Sequence, residues 1–150
     1  MVSDGKTYSY AEVERAIAAV LDIDAAEMGA LRGRIKHLRT FELPRVNPVG
    51  TGQRVPYTRQ NIFTLLLALT LERTGCAPRH ASLCATLESL PSRGREFLVF
   101  TPGRTERDFS YIECDATSLA RHIRPEGGAI VIAIAELLAA MDRALTAQSR

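Results

Sequence analysis

Residues 24–44 read DAAEMGALRGRIKHLRTFELP, and residues 45–58 continue RVNPVGTGQRVPYT. Met28, Leu31, Ile35 and Leu38 recur at three- and four-residue spacing, which predicts an amphipathic helix from Ala25 to Thr40. Asp24 with Glu27 has the spacing of a capping box, and Pro44 stops the segment. At about 100° per residue, Gly29, Gly33, Lys36, His37 and Thr40 fall opposite the apolar stripe. Arg32 and Arg39 flank that stripe on one side and Arg34 on the other. The outer face is therefore basic and small. Two exposed helical glycines cost about 1 kcal/mol each relative to alanine. They either permit close approach of a phosphate or another helix, or are tolerated near the first turn.

The 45–58 stretch carries Pro48, Pro56, Gly50 and Gly52 around Val46–Val49 and Gln53–Tyr57. These are candidate arms of a short β-hairpin turning at GTG. Outward from this centre, Val13, Ala16, Ile17, Val20 and Leu21 place a helix over Tyr10–Leu21, with Ser9 and Glu12 as its capping box. Thr58 caps a further helix from Arg59 to Thr74, apolar almost all round and so expected at the centre of the domain, with Gly75 at its end. Pro78 opens a fourth helix to about Leu90, with Leu83, Leu87 and Leu90 inward and Pro91 as its stop. Beyond it, Glu96–Phe100 and Phe109–Cys114 read as strands around PGRTER. A short helix follows Asp115, then a strand in GAIVI, then a last helix over Ala135–Ala147.

The chain has 150 residues and a formal net charge of +2. That average conceals a segregation. Residues 1–28 hold two basic and six acidic side chains, residues 29–60 hold seven and one, and residues 61–150 hold ten of each. The net of +6 in the middle window coincides with the basic helix and the hairpin. Six of its seven cations are arginine, suited to planar recognition of phosphate and base edges. A locally oriented contact follows, rather than indiscriminate coating of nucleic acid.

Helix, basic helix, hairpin, central helix, fourth helix is the order of a winged helix-turn-helix. The stretches YSYAEVERAI, LRGRIKHLRTFELP, GQRVPYTRQNI, LLLALTLERTG and CAPRHASLCATL resemble, in order, the DNA-binding domain of the MerR family of transcription regulators. The resemblance runs from about Tyr8 to Leu90. It implies a recognition helix bearing Arg32, Arg34, Lys36 and His37. It also implies wing contacts to the DNA backbone from Arg54 and Tyr57; on their place in the basic window, Arg34, Arg39, Arg45, Arg54 and Arg59 are candidates for positioning phosphates. Val-Pro between Arg54 and Tyr57 lengthens the family's wing ending, and the family's long C-terminal coiled coil is missing.

The expected fold is thus α+β, mainly helical: a winged helix-turn-helix domain over 1–91, followed by a β-β-α-β-α module over 92–150 serving dimerisation. The expected function is sequence-specific binding of double-stranded DNA by a homodimer. The alternative is a protein-interaction adaptor that docks a partner such as an RNA polymerase subunit through the same scaffold.

Other chemistry finds little footing. Cys76, His80 and Cys84 have helical spacing, but Pro78 interrupts the first turn and a metal site wants three or four convergent ligands. Cys114 lies between Glu113 and Asp115, which raises a thiol pKa. His37, His80 and His122 have no neighbouring nucleophile, and GxSxG, P-loop and HExxH motifs are missing. No enzyme activity, metal or cofactor is expected. Cysteines without a CxxC pair fit a reducing cytosol, MVSDGKTYSY lacks the pattern of a secretory signal, and no apolar run suggests a membrane partner.

Overall fold

The computed structural model describes residues 5–46, 55–86, 90–91, 94–102, 109–123 and 127–148. Within them the chain is α+β, dominated by helices, with two small antiparallel sheets.

Helix α1 spans Tyr10–Leu21 and opens on the expected box: Ser9 accepts from the Glu12 amide, while the Glu12 carboxylate accepts from the Ser9 amide. Helix α2 is Met28–Arg39, three residues shorter at its start than the sequence predicts. Asp24 does cap, but it caps a separate turn, its Oδ1 accepting from the amides of Ala26 and Glu27. Leu31, Ile35 and Leu38 are buried as the stripe requires.

The expected Val46–Val49 and Gln53–Tyr57 hairpin lies largely outside the described residues. What is described is another pairing: β1 (Thr7–Tyr8) runs antiparallel to β2 (Tyr57–Thr58), with Tyr8 opposite Tyr57. Helix α3, Arg59–Arg73, follows immediately, with a capping box closed by Thr58 and Asn61. Every residue from Ile62 to Leu69 is buried, so α3 is the central element that the sequence predicts.

Helix α4 covers only Pro78–Ala85, and Leu83, expected inward, is 48% exposed. Small residues take the inner side instead. Ala81, Ser82, Cys84 and Ala85 are buried, which lets α4 pack against α3 without bulky spacers.

The C-terminal segment forms a sheet of order β4–β3–β5, from β3 (Phe97–Pro102), β4 (Phe109–Cys114) and β5 (Ile130–Ile132). The short helix α5 (Leu119–His122) precedes β5, and α6 (Ile134–Ala147) follows it. Leu98, Phe100 and Ile132 share one sheet face by the alternation of strands, and they join Ile134, Met141 and Leu145 in the same core as α1 and α3. His80 of α4 lies against Phe109 at 5.0 Å, and Phe109 against Phe100 at 5.8 Å. The buried core is therefore continuous across position 91, and α6 packs directly on α1 and α3.

The first three helices end alike. After α1, α2 and α3 the chain passes through Asp22, Glu42 and Gly75 at positive φ. The next amide then donates back five residues: Ile23 to the Ala18 carbonyl, Leu43 to Leu38 and Cys76 to Leu71, at 2.9, 3.2 and 3.1 Å. This is the Schellman closure, and in each case the residue after the left-handed one returns to the core. Only the third uses glycine. Asp22 and Glu42 carry the steric cost of about 1 kcal/mol that a side chain pays in this region.

Candidate nucleic-acid interface

Seating Leu31, Ile35 and Leu38 in the core turns the remainder of α2 outward. Gly29, Arg32, Gly33, Arg34, Lys36, His37 and Arg39 are all exposed, and so is Arg45 beyond the helix. A Cβ built on Gly29 or Gly33 would meet nothing within 4 Å. Among the described residues the glycines serve no packing, and they leave a low strip along the outermost face. Lys36 stands on that strip, while Arg34 and Arg39 lie at its flanks. Arg34, Lys36 and Arg39 form no ion pair with a described carboxylate. His37 packs edge-on against Phe41 at 5.2 Å.

Three expected contact residues have other occupations. Arg32 donates through Nε and Nη2 to both oxygens of Glu14 at 2.9 and 2.7 Å, tying α2 to α1. Glu14 is buried to 7% exposure, so the pair is internal on the acid's side and open on the arginine's. Arg59 makes the same two-pronged contact with Asp142 at 2.7 and 2.5 Å, joining the start of α3 to α6. Tyr57 is only 2% exposed, because the outward position of the two-residue strand belongs to Thr58. Arg54 lies outside the described residues.

Sequence reasoning missed Glu14 and Asp142 as partners. A signal was present in both: each is an acid set at helical spacing among apolar residues, Glu14 with Ala18 and Leu21, Asp142 with Leu138 and Leu145. An acid on an apolar stripe requires a cation nearby.

Beneath one edge of α2 sits Glu72 of α3. Its Oε1 is buried without a hydrogen-bond partner, and burial pushes its carboxyl above the usual range, an effect opposed by the positive charges of Arg34 and His37. A group that binds its proton more tightly when folded penalises the fold most above its folded pKa. The penalty fades as pH falls toward the ordinary value of 4.5. Glu72→Gln is expected to stabilise the chain by about 1 kcal/mol at pH 7, the advantage shrinking on acidification. Urea midpoints between pH 4 and 8 check this, and a gain independent of pH contradicts it.

The thiols are all buried. Burial, reinforced by Cys76, pushes Cys84 up to about 12. Burial first and Asp115 second raise Cys114, so the acidic setting read from sequence contributes less than enclosure does. Asp115 is itself held at about 2 by hydrogen bonds from Ser118 and Thr117. Among the described residues no group of three or more His, Cys, Asp or Glu side chains could hold a metal ion, and no helix is long and apolar enough to cross a membrane.

In comparisons with known proteins, no protein-family model and no curated protein matches the chain.

Proposed function

We propose that the chain is a sequence-specific DNA-binding protein, a transcription regulator that lays α2 in the major groove of duplex DNA and works as a homodimer. The carrying observation is the outer face of α2. One side of a 12-residue helix is fixed in the core, and the other presents Arg34, Lys36 and Arg39, which form no ion pair with a described carboxylate, beside a strip opened by Gly29 and Gly33. A major groove about 12 Å wide admits one α-helix, and cations unpaired within the protein are free to neutralise phosphates. His37 and Arg45 complete the contact set. Arg32 and Arg59 act instead as braces that hold the helices in place.

About four cations per protomer then reach phosphates. The slope of log affinity against log salt on duplex DNA is expected near −4 per protomer. A flat response, or no measurable affinity at low salt, overturns the proposal and leaves the adaptor reading.

A further inference from the structure

Ser9, Tyr10 and Ala11 at the start of α1, Arg39 at the end of α2, and Val55 and Tyr57 before α3 line a cavity of about 440 Å³. Cavities of about 300–1,000 Å³ take small organic molecules. The rings of Tyr10 and Tyr57 face the space with centroids 6.3 Å apart and planes tilted by 52°, and Ala11 and Val55 add aliphatic surface. The interior is thus suited to a flat apolar body.

Among the described residues, the polar groups at this cavity that remain unengaged can all donate. The ring of Tyr57 is buried, while its hydroxyl, which makes no hydrogen bond with a described residue, is not among the enclosed unpartnered atoms and so can meet a ligand from the open side. Arg39 has no carboxylate partner among the described residues. The amides of Tyr10 and Ala11 are the first two of α1 and have no acceptor within their own helix. Ser9 contributes nothing further, since its amide and hydroxyl both donate to Glu12 at 2.7 Å. Two carboxylates lie nearby, and each is engaged: Glu12 in the capping box and Glu14 with Arg32. A phenol hydroxyl, a guanidinium and two helix-end amides beside an aromatic wall suit a ligand that brings acceptors on an apolar body.

We infer that this cavity is a binding site for a small organic acid, a carboxylate carried on a flat apolar body. The carboxylate meets Arg39, the Tyr57 hydroxyl and the α1 amides, and the body lies along Tyr10, Ala11 and Val55. The site shares Arg39 with the proposed nucleic-acid face, but its test uses the chain without nucleic acid, so either proposal can fail without the other.

The probe is 2-naphthoate, titrated calorimetrically into the intact chain, beside neutral 2-naphthamide and inorganic phosphate. Binding of 2-naphthoate with a Kd below about 1 mM is expected, with 2-naphthamide at least about tenfold weaker. Arg39→Gln should weaken 2-naphthoate about tenfold and Tyr57→Phe about fivefold. Ala11→Leu, which fills the space from an exposed helical position, should abolish binding with the thermal midpoint retained. Failure of 2-naphthoate to bind at millimolar concentration overturns the inference. So does equal affinity for Arg39→Gln or Ala11→Leu. Binding of inorganic phosphate as tight as that of 2-naphthoate also overturns it, since it reduces the site to an anion contact.

Discussion

Replacing Arg34 and Lys36 together by alanine is expected to lower affinity for duplex DNA about 100-fold and to make the salt slope shallower by about 2. Both side chains leave α2 on its exposed side, and neither forms an ion pair with a described acid. Removing them therefore takes contacts from the complex and little from the fold. The thermal midpoint should move by no more than a degree or so, the small change coming from the loss of Arg34 near Glu72. Fluorescence anisotropy on a labelled duplex at several salt concentrations measures both quantities. Retained affinity with an unchanged slope would remove α2 from the proposed interface. The contrasting substitution is Arg32→Ala. It disturbs the α1–α2 brace and should register in stability, whereas the double variant registers in binding.

The second large effect belongs to the Arg59–Asp142 contact. Its side chains are 19% and 28% exposed, it is two-pronged, and it joins residues 83 apart in sequence. Exposed pairs contribute about 0–1 kcal/mol, whereas cutting one partner from an enclosed pair costs about 3–5. At this partial exposure, Asp142→Ala should destabilise the chain by about 2 kcal/mol. Arg59→Met with Asp142→Leu should restore much of that by replacing two desolvated charges with apolar contact. Urea unfolding of the single and double variants supplies the cycle. Additive losses would show that the two side chains are not coupled. Hydrogen exchange should locate the loss in Asp142→Ala at α6 and the first turn of α3.

These two sites mark where the chain is legible and where it is not. The ends of α1, the Thr58 cap, the burial of α3 and the strand Phe109–Cys114 follow from periodicity and capping chemistry, which act over a few residues. The outward basic face of α2 follows from the same short-range logic. The spending of Arg32 and Arg59 does not, because their partners lie 18 and 83 residues away. Tyr57 stood as a wing contact through the family resemblance, and its burial shows no sequence pattern because its strand has only two residues, too few to carry one. Leu83 shows a different limit: apolar character does not decide burial when alanine and cysteine permit closer packing. Asp24 misled by offering the chemistry of a helix cap to a preceding turn.

The repeated closure after α1, α2 and α3 has a consequence for whatever meets the basic face. One such reversal, at Ile23, ends α1 before the turn that leads into α2, and another, at Leu43, ends α2 itself and returns Leu43 to the core. Rotation of α2 about its own axis would pull Leu31, Ile35 and Leu38 out of the core. The presentation angle of Lys36 and its neighbours is therefore set before any encounter. In the proposed complex, a helix held this way by core packing would lose little free energy to ordering, so shape complementarity would count for more than adaptation.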